Sequence, residues 1–256
     1  MPTGGFRKLL LPMAFVQLLA GYIPNALNFG TPIGDRVTQN GIPPELPPGP
    51  FFAIWGIIFT AYFAFGIYAW RKDDELVRRL AAPLVFAGGI NTIWMLSAQF
   101  LGSTVLETLI LLPLIYFAWK AAWQFDTMRG MGGSLIKWTG DLLSGLLSGW
   151  AVVALSISVP RLWRELLGQG PTDYEWYSLW SVILTAQIAT SIFRRRVSRT
   201  LWYYAALGWG IAGILTNNWT RTGYGFLGWI ALLFGLWIIF RRLSAGATGA
   251  ARRRTL

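Results

Sequence analysis

The residue types that most often perform chemistry in proteins are unevenly represented in this chain. It has no cysteine and no histidine, so disulfides, thiol catalysis, Ser–His nucleophile pairs and zinc or haem centres ligated by these residues are excluded. Eleven acidic residues remain, mostly in predicted connections. The glycine-rich stretch MRGMGGS follows no predicted strand and lacks the spacing of a phosphate-binding loop. We therefore expect neither an enzyme nor a required cofactor.

Tryptophan and amide side chains are the remaining candidates for a binding site. Many of the 15 tryptophans fall near the ends of long apolar stretches, where indole rings settle at the membrane boundary. Trp55, Trp94 and Trp150 lie inside such stretches instead. Asn91 precedes Trp94 by three residues and shares its helix face, and an amide deep in a bilayer is costly unless it faces protein or ligand. The pattern predicts a cleft, lined by these four residues, in which a planar ligand stacks; the alternative is that the indoles only pack helices together.

The elements that must position these side chains are long and apolar. The stretch PPGPFFAIWGIIFTAYFAFGIYAW, residues 47–70, carries no charge from Phe51 to Trp70, which matches the roughly 20 residues that cross a bilayer. Eight such stretches occur, at about residues 9–29, 51–70, 80–101, 104–123, 138–159, 175–193, 200–218 and 224–240. With 54% hydrophobic and 13% charged residues, the chain is predicted to be an all-α, multi-pass integral membrane bundle of about eight transmembrane helices.

The distribution of basic residues predicts the orientation of this bundle. The formal net charge is +11, but 18 of the 22 Lys and Arg residues fall in alternate connections and at the two termini. That alternation is the positive-inside pattern, so both termini are predicted to be cytoplasmic. The basic residues are expected to meet membrane lipids with anionic head groups, and no nucleic-acid partner is expected.

The first connection and the helix ends carry further signals. Proline and glycine recur between Gly30 and Pro50, which predicts a stiff lid on the outer side. Pro47 and Pro48 would fix the direction in which the second span begins. Glu107 and Asp141 each start a predicted span, where a carboxylate favours the helix dipole. Gly145 and Gly149 form a G-x-x-x-G pair, which indicates close helix contact within the bundle or in a homodimer.

Several of these segments together resemble the tryptophan-rich sensory protein family, also called the translocator protein or TspO/MBR family. The resemblance rests on the Pro-Pro pair before FAIWGIIF, on GINTIWMLSAQFLG, on TVLETLILL with its early Glu107, and on LLSGWAVVALSISVPRLW with Trp150. It implies a five-helix transmembrane domain at residues 1–165 with a lidded pocket for tetrapyrroles, sterols or other flat hydrophobic molecules. Residues 166–243 would then supply three additional helices, and residues 244–256 a basic cytoplasmic tail.

Three classes of function remain open at this point. The first is binding, sensing or shuttling of a hydrophobic planar ligand, such as a porphyrin, in the tryptophan-lined pocket. The second is a scaffold or assembly subunit of a larger membrane complex, for example a pigment-bearing one, that docks through the last three helices. The third is a secondary transporter, for which the polar Thr216-Asn217-Asn218 segment is the main signal although no internal repeat is evident.

Overall fold

Long helices account for most of the chain. The computed structural model describes residues 4–27, 29–128 and 134–244, and within these residues every regular element is helical. The elements are α1 (Gly4–Ala26), α2 (Ile33–Thr38), a 3₁₀ helix (Gly49–Ala53), α3 (Ile54–Arg71), α4 (Glu75–Phe100), α5 (Thr104–Thr127), α6 (Ser134–Leu166), α7 (Glu175–Arg196), α8 (Leu201–Thr220) and α9 (Gly225–Ser244). The eight apolar stretches therefore correspond to eight long helices, while the short α2 was not predicted.

Short connections with capping side chains separate the helices. Asp74 begins α4 by accepting a hydrogen bond from the Val77 amide at 2.9 Å, and Ser103 begins α5 by accepting from Leu106 at 3.3 Å. Such caps satisfy amides that the first helical turn leaves unpaired. Because only a few residues join α4 to α5, these two helices run antiparallel as packed neighbours. The connection from α3 to α4 is also short, but these two helices both pack against α1 more extensively than against each other.

The first five long helices close a ring. α1 packs against α3 and α4, α5 packs between α4 and α6, and α6 returns to α3. α7 and α8 pack on the outer side of α6, and α9 packs on both of them. One hydrophobic core runs from the ring into α7 and α8 and includes the buried side chains of Tyr62, Phe65, Trp150 and Phe193.

Four helical segments of the described chain are long and apolar enough to cross a membrane by length and composition. They are Gly49–Arg71, Glu75–Phe100, Thr104–Thr127 and Leu135–Leu166. The last belongs to α6, and 83% of its most apolar 18-residue stretch is buried inside the protein, so α6 is the central helix. α7, α8 and α9 have 20 to 22 residues, about 30 Å of helix, and the prediction of eight spans stays a prediction.

Two of the predicted features lie partly outside the described residues. The glycine-rich stretch beginning at Met128 is described only at its two ends, and the basic tail is described only at Ser244. The G-x-x-x-G pair is fully described. A Cβ added at Gly149 would lie 2.4 Å from the Tyr203 carbonyl oxygen, and one at Gly145 would lie 2.6 Å from Trp202 Cβ. Both glycines therefore serve the contact of α6 with α8 within the chain.

Candidate functional site

A cavity of about 700 Å³ lies beside the ring, under the segment that joins α1 to α3. We call this segment the cap loop, residues 29–53. The cavity is lined by α1, the cap loop, α3 and α4, together with one residue that follows α8. The lining residues are Gly21, Tyr22, Pro32, Ile33, Asp35, Thr38, Leu46, Pro47, Gly49, Phe52, Ala53, Trp55, Gly56, Phe59, Trp94, Met95, Gln99 and Arg221. Its volume lies in the range of small-molecule sites.

Aromatic rings form one wall of this cavity. The Trp55 ring stacks on Phe59 with the ring centres 5.6 Å apart and the planes 22° apart. The centre of the Trp94 ring lies 6.4 Å from that of Trp55 at 32°. Phe59 follows Trp55 by four residues, one helical turn along α3. Two of the four predicted site residues, Trp55 and Trp94, thus stand together on one wall, which offers flat apolar faces to a ligand.

Two lining residues carry buried polar atoms that have no hydrogen-bond partner among the described residues. They are the indole nitrogen of Trp94 and the side-chain oxygen of Gln99. The Gln99 amide nitrogen is satisfied, because it donates to the carbonyl oxygens of Ala20 at 3.0 Å and Met95 at 2.9 Å. An unpaired buried polar atom costs about 1–3 kcal/mol, and a ligand with a polar edge would offset that cost.

The other two predicted residues do not line the cavity. Asn91 is fully buried and donates to the side-chain oxygen of Gln17 in α1 at 3.1 Å, so its amide joins two helices. Trp150 is 2% exposed and lies behind the cavity, where its ring meets the edge of Phe52 with the centres 5.9 Å apart. The structure thus places both residues in the packing around the site.

Pro47 and Pro48 occupy the end of the cap loop that leads into α3. Pro47 lines the cavity. Pro48 precedes the 3₁₀ helix, and its carbonyl oxygen accepts from the Phe51 amide at 2.9 Å. These positions fit the prediction that Pro47 and Pro48 set the direction in which α3 begins.

A buried ion pair fixes the middle of the cap loop. Glu45 is fully buried and its carboxylate receives two hydrogen bonds from the Arg164 guanidinium of α6. Arg164 also donates to the Ser178 hydroxyl of α7. Burial away from water raises the pKa of the Glu45 carboxyl above its ordinary value, and the adjacent Arg164 charge opposes that change. Removing either partner would leave the other buried charge uncompensated.

α8 holds the remainder of the cap loop. The Asn217 side chain donates to the Pro43 carbonyl oxygen at 2.9 Å, and Asn218 donates to that of Pro44 at 2.7 Å. The Trp209 indole donates to the Phe51 carbonyl oxygen at 2.6 Å. Two residues of the polar Thr216-Asn217-Asn218 segment, which was the main signal for a transporter, thus support the roof of the cavity.

Glu107 has an ion-pair partner in addition to its position in the first turn of α5. It is 2% exposed, and its carboxylate lies 3.4 Å from the Arg161 guanidinium of α6. The pair ties the start of α5 to the end of α6.

Comparison with known families decides the identity of this bundle. A family model described as TSPO-like protein matches residues 10–243. The chain belongs to the TSPO-like family. The resemblance drawn from the sequence is therefore confirmed, and so is its consequence that the chain is a multi-pass integral membrane protein. The match runs from α1 into α9 and so takes in the last three helices of this TSPO-like chain. No curated protein and no solved structure matched it.

Sequence reasoning missed several residues that line the cavity of this TSPO-like chain. Phe59 carries a usable signal, since it stands one helical turn after Trp55. Gln99 stands five residues after Trp94 within GINTIWMLSAQFLG, and its polarity within a span was also a usable sign. Arg221 carries no such signal, because it comes from the far end of the chain and reaches the cavity only through the packing of α8.

Proposed function

We propose that this TSPO-like chain binds a flat, hydrophobic small molecule, of tetrapyrrole or sterol-like type, in the cavity under the cap loop. The observation that carries the proposal is the wall of Trp55, Phe59 and Trp94 along a cavity of about 700 Å³. Aromatic contacts contribute roughly 0.5–1.5 kcal/mol each beyond the burial of apolar area. Binding, sensing or shuttling of such a ligand requires no catalytic residue, so we propose a non-enzymatic protein.

The polar atoms of the cavity support an amphipathic ligand. The unpaired Trp94 nitrogen is a donor and the unpaired Gln99 oxygen is an acceptor. Arg221 and Asp35 also line the cavity, and both are exposed. A ligand with a flat apolar body and one polar edge would satisfy these groups while it stacks on the indoles.

Filling the cavity tests this proposal most directly. Gly56 lines the cavity, and a Cβ added there meets no atom of the described residues within 4 Å, so Gly56→Leu should fold and occupy ligand space. We expect protoporphyrin binding to weaken at least about tenfold, or 1.4 kcal/mol. The measurement is the shift of the porphyrin absorbance band on titration with the detergent-purified protein, which does not depend on protein fluorescence.

Matched variants separate the site from general effects. Gly5→Leu is the control, because an added Cβ at Gly5 also meets no described atom within 4 Å and Gly5 lies outside the cavity lining. Trp55→Phe and Trp94→Phe should weaken binding, whereas Trp176→Phe, in the exposed part of α7, should not. Equal affinity in Gly56→Leu and the wild type would refute this location, and no saturable binding would refute a porphyrin ligand.

A further inference from the structure

The ends of α7, α8 and α9 enclose a second, smaller cavity of about 160 Å³. This second cavity lies near the start of α8. Arg221, which lines the larger cavity, follows the other end of α8. About 25 Å of helix separates the two levels. The lining residues are Gln187, Thr190, Ser191, Arg194, Arg195, Tyr204, Trp237, Ile238 and Arg242. The volume suits a phosphate group far better than a whole cofactor.

The charge of this second cavity is of one sign. Three arginines line it, two from α7 and Arg242 from α9, and none of the carboxylates in the described part of the chain does. Among the described ion pairs, none involves Arg194, Arg195 or Arg242. Arg242 is held in place, because it donates to the Arg199 carbonyl oxygen at 2.7 Å and lies 5.7 Å from the centre of the Tyr204 ring. The site therefore presents uncompensated positive charge to whatever occupies it.

Two buried donors at this site lack an acceptor within the described part of the chain. The Tyr204 hydroxyl and the Nε atom of Arg242 are buried and make no hydrogen bond there. Tyr204 as a whole is only 5% exposed, so its hydroxyl has little access to water. Phosphate oxygens accept several charge-assisted hydrogen bonds at once. A phosphate group would therefore pair with these arginines and with both unpaired donors.

An apolar groove continues from the second cavity along α9. It has a volume of about 320 Å³ and is lined by Ile230, Leu233, Phe234 and Trp237. Trp237 belongs to both the cavity and the groove. The seven positions that separate Ile230 from Trp237 span about 10 Å along the helix. A molecule with a phosphate at one end and an acyl chain at the other would fill the two together.

We propose that this composite site binds one anionic phospholipid, with its phosphate among Arg194, Arg195, Arg242 and Tyr204 and an acyl chain along the α9 groove. The arginines alone would also suit a free phosphate ion. The continuous groove selects the lipid, because only the lipid has an apolar part to bury there. The predicted orientation places this end at the cytoplasmic face, where basic sites between helices meet anionic head groups. The inference is independent of the ligand proposed for the larger cavity.

Native mass spectrometry of the delipidated, full-length protein tests the site. Phosphatidylglycerol and phosphatidylcholine with identical acyl chains are added in parallel, and glycerol phosphate is added as a competitor. We expect one tightly held phosphatidylglycerol per chain and weaker retention of phosphatidylcholine. Arg194→Gln/Arg195→Gln should weaken phosphatidylglycerol retention by about tenfold or more. Arg71→Gln/Lys72→Gln removes two exposed charges that line neither cavity and should leave retention unchanged.

The outcomes separate the alternatives. Equal retention of the two lipids, or equal loss in the two double variants, would overturn the proposal. Displacement of the lipid by glycerol phosphate at a similar concentration would show a site for free phosphate instead, and would overturn it too. If the α7 double variant aggregates, Arg195→Gln alone decides the matter. Arg195 is exposed, and its loss should cost about fivefold in retention.

Discussion

Individual buried side chains in this bundle have different roles even when they share a helix face. Asn91 and Trp94 stand on one face of α4, yet Trp94 lines the cavity under the cap loop whereas Asn91 donates a hydrogen bond to Gln17. Helical periodicity gives the face of a residue but not its neighbour across the interface. Their substitutions should therefore affect different properties of the protein.

Asn91→Ala should lower stability and leave ligand affinity nearly unchanged. It removes the donor to the buried Gln17 oxygen, and an unpaired buried group costs about 1–3 kcal/mol. We expect a lower thermal midpoint in detergent, with protoporphyrin affinity within about twofold, or roughly 0.4 kcal/mol, of the wild type. Trp94→Phe should show the opposite pattern.

A double variant checks the cause of that stability loss. If the hydrogen bond matters, Gln17→Ala with Asn91→Ala should cost less than the sum of the two single changes. Additive losses would show that the hydrogen bond between the two residues does not cause the stability loss. An affinity loss in Asn91→Ala as large as that of Trp94→Phe would instead return Asn91 to the proposed ligand site.

At the scale of the elements, the roof of the cavity depends on helices distant in sequence. The bond from Asn217 to Pro43 joins residues 174 positions apart. Gly213 of α8 also touches the cap loop, since an added Cβ there would lie 2.6 Å from Pro47 Cβ and 3.0 Å from Phe51 Cγ. α8 thus fits the cap loop through a glycine and is bonded to it through two asparagines.

Gly213→Ala should push the cap loop off α8. Excess volume at a tight contact costs about 1–3 kcal/mol, so the amides of residues 45–53 should exchange hydrogen faster and ligand affinity should fall. Hydrogen-exchange mass spectrometry of cap-loop peptides, with and without protoporphyrin, measures both effects.

The matched control for the cap-loop experiment is Gly208→Ala on the same helix. A Cβ at Gly208 would have Ile239 at 3.9 Å as its nearest neighbour, an ordinary contact. Unchanged exchange in Gly213→Ala, or equal changes in both variants, would mean that α8 does not support the roof.

The sequence predicts elements of this protein better than it predicts contacts between them. Long uncharged runs place the helices, because no other structure satisfies the backbone of such a run in lipid. The six-residue α2 escaped prediction because it lies in a proline- and glycine-rich segment without apolar periodicity. Depth in the apolar stretches selected Trp55, Trp94 and Trp150 alike, but only the first two line the cavity, because depth does not give the direction in which a side chain points. The ion pair between Glu45 and Arg164 could not be predicted, because the sequence does not distinguish two charged residues that are buried together from two that stay exposed.

For the whole molecule, the last three helices have two separable roles. At the start of α7, Ser178 accepts a hydrogen bond from Arg164, which in turn holds the cap loop. At the end of α8, Asn217 and Asn218 donate hydrogen bonds to the cap loop directly. The opposite ends form the arginine-lined cavity with α9. If these helices span the membrane, the proposed ligand cavity lies toward one face and the proposed lipid site toward the other.

That arrangement requires α7 and α8 to cross the membrane, with both termini on the cytoplasmic side. The chain has no native cysteine, so single cysteines report location without background. We expect Thr172→Cys and Thr220→Cys, on exposed side chains, to react with an impermeant maleimide in intact expressing cells. Lys72→Cys and Arg196→Cys, also exposed, should react only after the cells are lysed.

Ile93→Cys serves as the control for the labelling experiment. Its side chain is 57% exposed on the apolar surface of α4, so lipid should shield it from the reagent before and after lysis until detergent is added. Labelling of Arg196→Cys in intact cells would show that α7 does not cross, because its two ends would then lie on one side. The alternation of basic connections would fail from that helix onward, and the arginine-lined cavity would lose its predicted place at the cytoplasmic face.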